Sequence, residues 1–231
     1  MRIYERWLLP RLIDLAMRNK EATRYRQKMI PGARGRVLEI GVGSGLNLPF
    51  YGPEVAHLYA LDPSEALLAM AGRKRAPGGV PVEFLQGSAE EIPLATRSID
   101  TVVTTWTLCT VPDATRALRE ARRLLGPGGA LLFVEHGLAP DPGVERWQLR
   151  LNPVWRRCSG GCNLDRKIDR LIREAGFEIL ELENEYAKGP RPFTYMYFGR
   201  ARPARGGAAA QVTPGSSPSE RGGTAPHTPL G

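Results

Sequence analysis

No apolar run in the 231 residues approaches the roughly 18–20 needed to span a bilayer, so no membrane-spanning helix is expected. The opening residues, Met1-Arg2-Ile3-Tyr4-Glu5-Arg6, hold no uninterrupted apolar core, so no secretory signal is expected either. Cysteine is sparse and odd in number: Cys109, Cys158 and Cys162. That set excludes a disulfide framework and points to a reducing, cytoplasmic setting. Cys158-Ser159-Gly160-Gly161-Cys162 lacks a second spaced pair and makes a poor zinc site, so no metal is expected. Aromatics are only 7% of the chain, and its basic N-terminal stretch offers no aromatic array for stacking bases. No nucleic-acid partner is therefore expected. No internal repeat is present, and nothing in the sequence specifies an oligomeric state.

The net charge of +8 is local. Residues 1–36 carry ten Lys/Arg against three Asp/Glu, while the stretch to residue 200 is nearly balanced. Residues 3–29 read as helix, with Ile3, Trp7, Leu8, Ile13, Leu15 and Met17 set among arginines, and with a break or a restart expected at Pro10. A basic amphipathic arm over 1–35 can pack across the domain as a lid or lie against an anionic membrane surface. From Ala201 the chain turns to Pro, Gly, Ala, Ser and Thr, a composition that cannot offset chain entropy. Residues 201–231 are expected to be a disordered tail.

Between these ends lies one domain, 36–200, of alternating strands and helices. Strands are expected near 36–41, 57–61, 80–85, 99–104, 130–135, 177–185 and 193–200. Helices are expected near 64–76, 113–125 and 163–175, started by Pro63-Ser64 and Pro112-Asp113. The last two strands flank a Lys188-Gly189-Pro190 turn and should pair antiparallel. The expected fold is α/β: a doubly wound, seven-stranded, mostly parallel sheet with an antiparallel last strand. Residues 141–162 should cover a cavity, with Asn152-Pro153 interrupting any helix there.

The first strand ends in Glu39 and runs into Gly41, Gly43 and Gly45, and the second ends in Asp62-Pro63. Glycines on alternate positions let backbone turn tightly and approach a ligand without Cβ interference. The dinucleotide fingerprint needs G-x-G-x-x-G and a helix N-terminus facing a pyrophosphate. Here the spacing is G-x-G-x-G, and Glu39 beside it suits a cation and would repel a phosphate. Asp62 can accept from both hydroxyls of a ribose. This points away from NAD and toward S-adenosylmethionine, whose sulfonium and ammonium are positive. Ser88 and Ala89, after the third strand, are placed to flank an adenine.

The segments VLEIGVGSG (37–45), LYALDPS (58–64), LQGSAEEIPL (85–94), SIDTVVTTWTLCTVPD (98–113) and LLGPGGALLFVEHG (124–137) resemble class I S-adenosylmethionine-dependent methyltransferases, which share a Rossmann-like fold. The resemblance implies Glu39, Gly41, Gly43 and Gly45 around the methionine end, Asp62 and Pro63 at the ribose, and Ser88 and Ala89 at the adenine. It puts Thr105 and Trp106 near the reactive methyl. Many members carry Asp where Ser88 stands, so Glu90 is a second candidate for the adenine amino group. GSGLNLPFY (43–51), TLCTVPD (107–113), FVEHG (133–137), RLNPVWRRCSGGCNLDR (150–166) and YMYFGRA (195–201) are similar to the methyltransferase-like group that includes microsomal alkyl-thiol S-methyltransferases.

Methyl transfer from a sulfonium is an in-line displacement, and the protein mainly aligns the partners and excludes water. His136, where the fifth strand ends, is the expected catalytic base or orienting group. Cys109 and Trp147 are expected on the substrate side, and Trp147 with its apolar neighbours implies a small lipophilic acceptor. A thiol is the first choice. A phospholipid head group (N-methylation) or a quinone-type lipid (C- or O-methylation) is the alternative, and a non-catalytic adenosylmethionine-binding module is the rival of another class.

Overall fold

The computed structural model describes residues 9–204. Seven strands form one sheet: β1 (Gly35–Ile40), β2 (Val55–Asp62), β3 (Val82–Gln86), β4 (Ile99–Thr105), β5 (Leu125–His136), β6 (Phe177–Tyr186) and β7 (Tyr195–Pro203). Their spatial order is β3-β2-β1-β4-β5-β7-β6. All neighbouring pairs are parallel except those of β7, which runs antiparallel to both β5 and β6. The winding direction reverses between β1 and β4. Ligands in open α/β sheets bind beyond the carboxyl ends of the strands at such a switch point.

The described residues hold six α-helices: α1 (Leu9–Met17) and α2 (Lys20–Met29) precede β1, and α3 (Glu65–Ala71), α4 (Ala114–Leu124), α5 (Pro142–Cys158) and α6 (Ile168–Glu174) connect strands. β1 alternates its faces. Leu38 and Ile40 join the α4/α6 side with Leu118, Ile168 and Ile172, while Val37 faces the other side with Leu58, Val103 and Leu132. Helix α4 buries Ala114, Ala117, Leu118, Ala121 and Leu124, the single stripe that a period of 3.6 produces. Asp113 caps it by accepting from the Arg116 N–H at 2.9 Å.

Several boundaries differ from the sequence reading: α3 ends at Ala71 and not near 76, β5 begins at Leu125 and not near 130, and α6 begins at Ile168 and not near 163. Pro10 sits in the first turn of α1, the place a restart would give it, where a missing N–H costs nothing, and a further break, not foreseen, falls at Arg18-Asn19. Asn19 starts α2 by accepting from the Ala22 N–H at 2.8 Å. Helix α5 runs unbroken through Asn152-Pro153. Pro153 and Leu149, four residues earlier, are both exposed, so the carbonyl freed by the ring is on the wet side. The inner side is held by side chains: Gln148 accepts from the Ala139 N–H (2.8 Å) and donates to the Gly137 and Pro192 carbonyls (3.0 and 3.1 Å), and Asn152 accepts from the Leu164 N–H (2.9 Å). Strand β7 continues to Pro203, three residues into the stretch expected as tail. The rest of that stretch, and residues 1–8 of the basic arm, lie outside the described residues. Among the described residues, no helix is long and apolar enough to cross a membrane.

Candidate functional site

The glycine loop leaves β1 at the switch point. Gly41, Gly43 and Gly45 all have positive φ, at 75°, 55° and 77°. Their constraints differ. A Cβ on Gly41 would stand 2.2 Å from Thr107 Oγ1, and one on Gly45 would stand 3.0 Å from the Ala71 Cα. A Cβ on Gly43 would meet nothing within 4 Å. Two of the glycines therefore serve packing, and Gly43 presents open space, the cradle a ligand's backbone-hugging end requires.

Asp62, buried at the end of β2, binds this loop directly. It accepts from the Gly43 N–H and the Ser64 N–H, both at 2.9 Å, and burial raises its pKa. Pro63 and Ser88 beside it are exposed, and Ala89 is buried. Ser88 accepts from the Glu90 N–H at 3.1 Å. Glu90 does not reach toward Ser88; its carboxylate accepts from the Asp113 N–H at 2.9 Å.

Glu39 lies beneath the loop and does not project into open space. It accepts from Asn47 Nδ2 at 2.8 Å and from the Tyr51 hydroxyl at 2.7 Å. Burial pushes its pKa up to about 7, against the pull of those donors and of Arg26. Buried Arg26 donates to Asn47 Oδ1 at 2.9 Å. Asn47 also donates to Thr105 Oγ1 at 2.9 Å, so the ends of β1 and β4 share one polar network. Asn47, Tyr51 and Arg26 were missed in the sequence. The first two stand in GSGLNLPFY, where a buried acid's need for partners was the available signal.

Helix α1 sits on the loop. The Ser44 hydroxyl donates to Asp14 at 2.5 Å, Arg18 pairs with Asp14 at 2.7 Å, and Lys74 donates to the Ser44 carbonyl. Ile13, Asp14 and Met17 close a cavity of about 80 Å³ against Gly41, Gly43, Asn47 and Thr105. The side chain of Asp14 was not foreseen.

A second cavity, of about 690 Å³, adjoins the first at Trp106. Ile13, Met17 and Trp106 line both cavities. Trp106 is turned by an unusual φ of 50°, and its N–H donates to the Val134 carbonyl at 2.8 Å, so the chain bends sharply off β4. Cys109, His136, Cys162, Trp155, Phe193 and Met196 line the cavity further in. His136 Nε2 stands 2.9 Å from Cys162 Sγ. Burial pulls His136 toward neutrality, but Cys162 and Glu135 outweigh it, and its pKa lies above the ordinary value. The Cys162 thiol is pushed well up, first by its hydrogen bond with Cys109 and then by burial.

Glu135 faces the other way, as alternation along a strand requires. It accepts from the Thr107 and Leu108 N–H groups, both at 3.1 Å, and burial raises its pKa to about 7. Trp147 requires a correction. It is 57% exposed on the outer side of α5 and does not line the cavity. Trp155, eight residues on and about 80° around the helix, takes the inner place against Phe193, with ring centroids 4.6 Å apart. Cys158 is exposed, and Cys162 stands with His136 and Cys109 instead.

A methyltransferase domain family matches residues 38–133. Human thiol S-methyltransferase TMT1B is 32% identical over 190 residues, covering 79% of this chain and 76% of that protein. The phosphatidylethanolamine N-methyltransferase of Cereibacter sphaeroides is 33% identical over 207 residues, covering 86% of this chain and 96% of that one. The fold is shared with the N-methyltransferase NodS of Bradyrhizobium japonicum, solved with S-adenosyl-L-homocysteine (TM-score 0.61, 17% identity, 80% and 89% covered). The chain belongs to the class I S-adenosylmethionine-dependent methyltransferases, close to the thiol S-methyltransferase group, and S-adenosylmethionine is its methyl donor.

Proposed function

We propose that the enzyme methylates a small lipophilic thiol. The observation that carries this reading is the wall of Ile13, Met17 and Trp106 shared by the loop cavity and the larger, mostly apolar one. The cofactor supplies an electrophilic methyl group on a sulfonium. In this reading Gly43 gives room to its methionine end, with the Glu39 network supplying negative charge beneath. Asp62 and Pro63 meet the ribose, Ser88 and Ala89 flank the adenine, and Thr105 lies under the reacting end. The acceptor enters the larger cavity between α1 and α5. Its sulfur reaches the methyl past Trp106, with Cys109 and His136 on its own side. The apolar lining excludes water, and two walls hold the partners in line, which is the main contribution a protein makes to such a displacement.

Thiol is favoured over other nucleophiles by chemistry and by relatives. A thiol with a pKa near 8.5 needs little help to ionise at neutral pH, whereas amines and hydroxyls need more. His136 lines the acceptor's cavity beside Cys109 and Cys162 and is the base or orienting group of this reading. Relatives named thiol S-methyltransferases cover most of the chain.

The second reading is N-methylation of a phospholipid head group. The bacterial relative of that name covers more of the chain. Leu12 and Leu15 on α1 and Trp147 and Val154 on α5 are exposed, and both helices border the cavity, so a peripheral contact with a membrane surface fits. Incubating purified enzyme with methyl-labelled cofactor and each acceptor separates the two. Labelled thioether from alkyl thiols supports the proposal. Labelled phosphatidylethanolamine without thioether overturns it.

A further inference from the structure

The floor of the larger cavity gathers three side chains that the sequence spreads over more than fifty positions. The ligating atoms of Cys109, His136 and Cys162 all lie within 4.8 Å of one another. We infer that Cys109, His136 and Cys162 form a zinc site whose open fourth position takes the acceptor's sulfur as a thiolate. The inference rests on the thiol reading above and says how that acceptor is activated.

Three arguments support it. The first is the donor set. Two thiolates and an imidazole suit zinc, and catalytic zinc keeps three protein ligands with one position open. The second is geometry. Bonds of about 2.3 Å to sulfur and 2.0–2.1 Å to nitrogen, set tetrahedrally, place donor atoms about 3.6–3.8 Å apart. The cluster's 4.8 Å limit includes that spacing, and the His136–Cys162 pair at 2.9 Å needs to open by only about 0.7 Å.

The third argument is that the site is built. Asn163 donates from its N–H and from Nδ2 to the Cys109 carbonyl, both at 2.8 Å, tying the Cys162 segment to the Cys109 segment. Arg166 donates to the carbonyls of Leu108, Val111 and Pro112, holding the same two segments together. Gly160 and Gly161, with φ of 63° and 89°, turn the chain back after α5 so that Cys162 returns to the cavity. His136 comes from the rigid end of β5. None of these contacts uses the donor atoms: His136 Nε2 and Cys162 Sγ face each other at 2.9 Å, and Cys109 Sγ donates to the Trp106 carbonyl at 3.4 Å, a contact its thiolate gives up when the metal binds.

The chemistry balances. The acceptor R–SH binds through sulfur and releases its proton to solvent, because a coordinating thiol is deprotonated outright. Its sulfur then forms a bond to the methyl carbon as the carbon–sulfonium bond breaks, the electron pair passing to the cofactor's sulfur. The products are the neutral thioether R–S–CH₃ and S-adenosylhomocysteine. A thioether is a far poorer zinc ligand than a thiolate, so the product leaves and the next thiol enters.

The test is metal content of the full chain purified without chelator and without a metal-binding tag, followed by replacement with cobalt(II). One zinc per chain is expected, and the cobalt form should show tetrahedral visible bands with thiolate-to-cobalt charge transfer that changes when an alkyl thiol is added. Cys162→Ser and His136→Gln should each lose roughly tenfold or more in zinc affinity while keeping the circular dichroism of the parent. Cys158→Ser, at an exposed position, should keep the metal. A chain that neither holds nor takes up zinc or cobalt, yet turns over thiols fully, overturns the site and leaves His136 to act on the thiol directly. Stoichiometric zinc with no thiol turnover leaves the site standing and refutes the acceptor instead.

Discussion

Replacing Gly43 and Gly41 separately by alanine separates cofactor contact from folding. Both residues have positive φ, so each alanine costs about 1–2 kcal/mol of stability from backbone conformation alone. At Gly41 the new methyl also strikes Thr107, 2.2 Å from Oγ1, and overpacking adds about 1–3 kcal/mol. At Gly43 it meets no protein atom within 4 Å and projects instead into the space assigned to the cofactor. Gly43→Ala should therefore lose only that backbone cost in stability and bind S-adenosylmethionine at least roughly tenfold more weakly, a loss of about 1.4 kcal/mol. Gly41→Ala should be the less stable protein. Titration calorimetry gives the affinities and denaturant unfolding the stabilities. Parental affinity in Gly43→Ala, or equal stability in the two variants, would refute the assignment of open space to the ligand and packed space to Thr107.

Glu39, with a pKa of about 7, is mostly protonated near pH 6, and a cationic ligand favours its ionised form, so cofactor affinity should fall about tenfold from about pH 8 to about pH 6. Glu39→Gln should flatten that profile; an unchanged slope would remove Glu39 from the cofactor's charge balance. Glu39 and Glu135 both hold protons more tightly folded than unfolded, so their contribution to stability is full below about pH 4.5 and is lost as pH rises through about 7. Thermal unfolding of the ligand-free chain should accordingly show higher stability near pH 5 than near pH 8. Gln148→Ala strands the Ala139 N–H and the Gly137 carbonyl and should cost about 2–3 kcal/mol, whereas exposed Trp147→Ala on the same helix should stay within about 0.5 kcal/mol. Asp14→Ala removes the contact of α1 with Ser44 and should speed cofactor release several-fold in stopped-flow; an unchanged rate would mean that α1 is not a lid.

What the sequence made legible was local. The strands of the parallel sheet are short apolar runs closed by Gly, Pro or Asp, and the glycine loop with Glu39 and Asp62 sits within thirty residues, so spacing alone assembled it. What it hid depended on distant partners. Pro153 reads as a helix breaker, and what lets α5 continue is its exposed position together with the grip of Gln148 and Asn152 on the loops beneath. Trp147 and Trp155 both fit an apolar helical pattern, and the tertiary contact with Phe193 decides which one faces inward. Cys162 has a sequence neighbour in Cys158, yet a glycine turn and Asn163 deliver it to Cys109.

The central claim is that cofactor and acceptor meet across the wall of Ile13, Met17 and Trp106. Its most direct test is a crystal structure of the enzyme with S-adenosylhomocysteine and an alkyl thiol. Reacting atoms about 3–3.5 Å apart, plus one carbon–sulfur bond, put the two sulfurs about 5 Å apart in line. The account predicts that separation, with the cofactor's amino-acid end at Gly43 and the thiol sulfur on the side of His136, Cys109 and Cys162. A thiol bound outside that cavity, or sulfurs too far apart for a methyl to bridge, would contradict it.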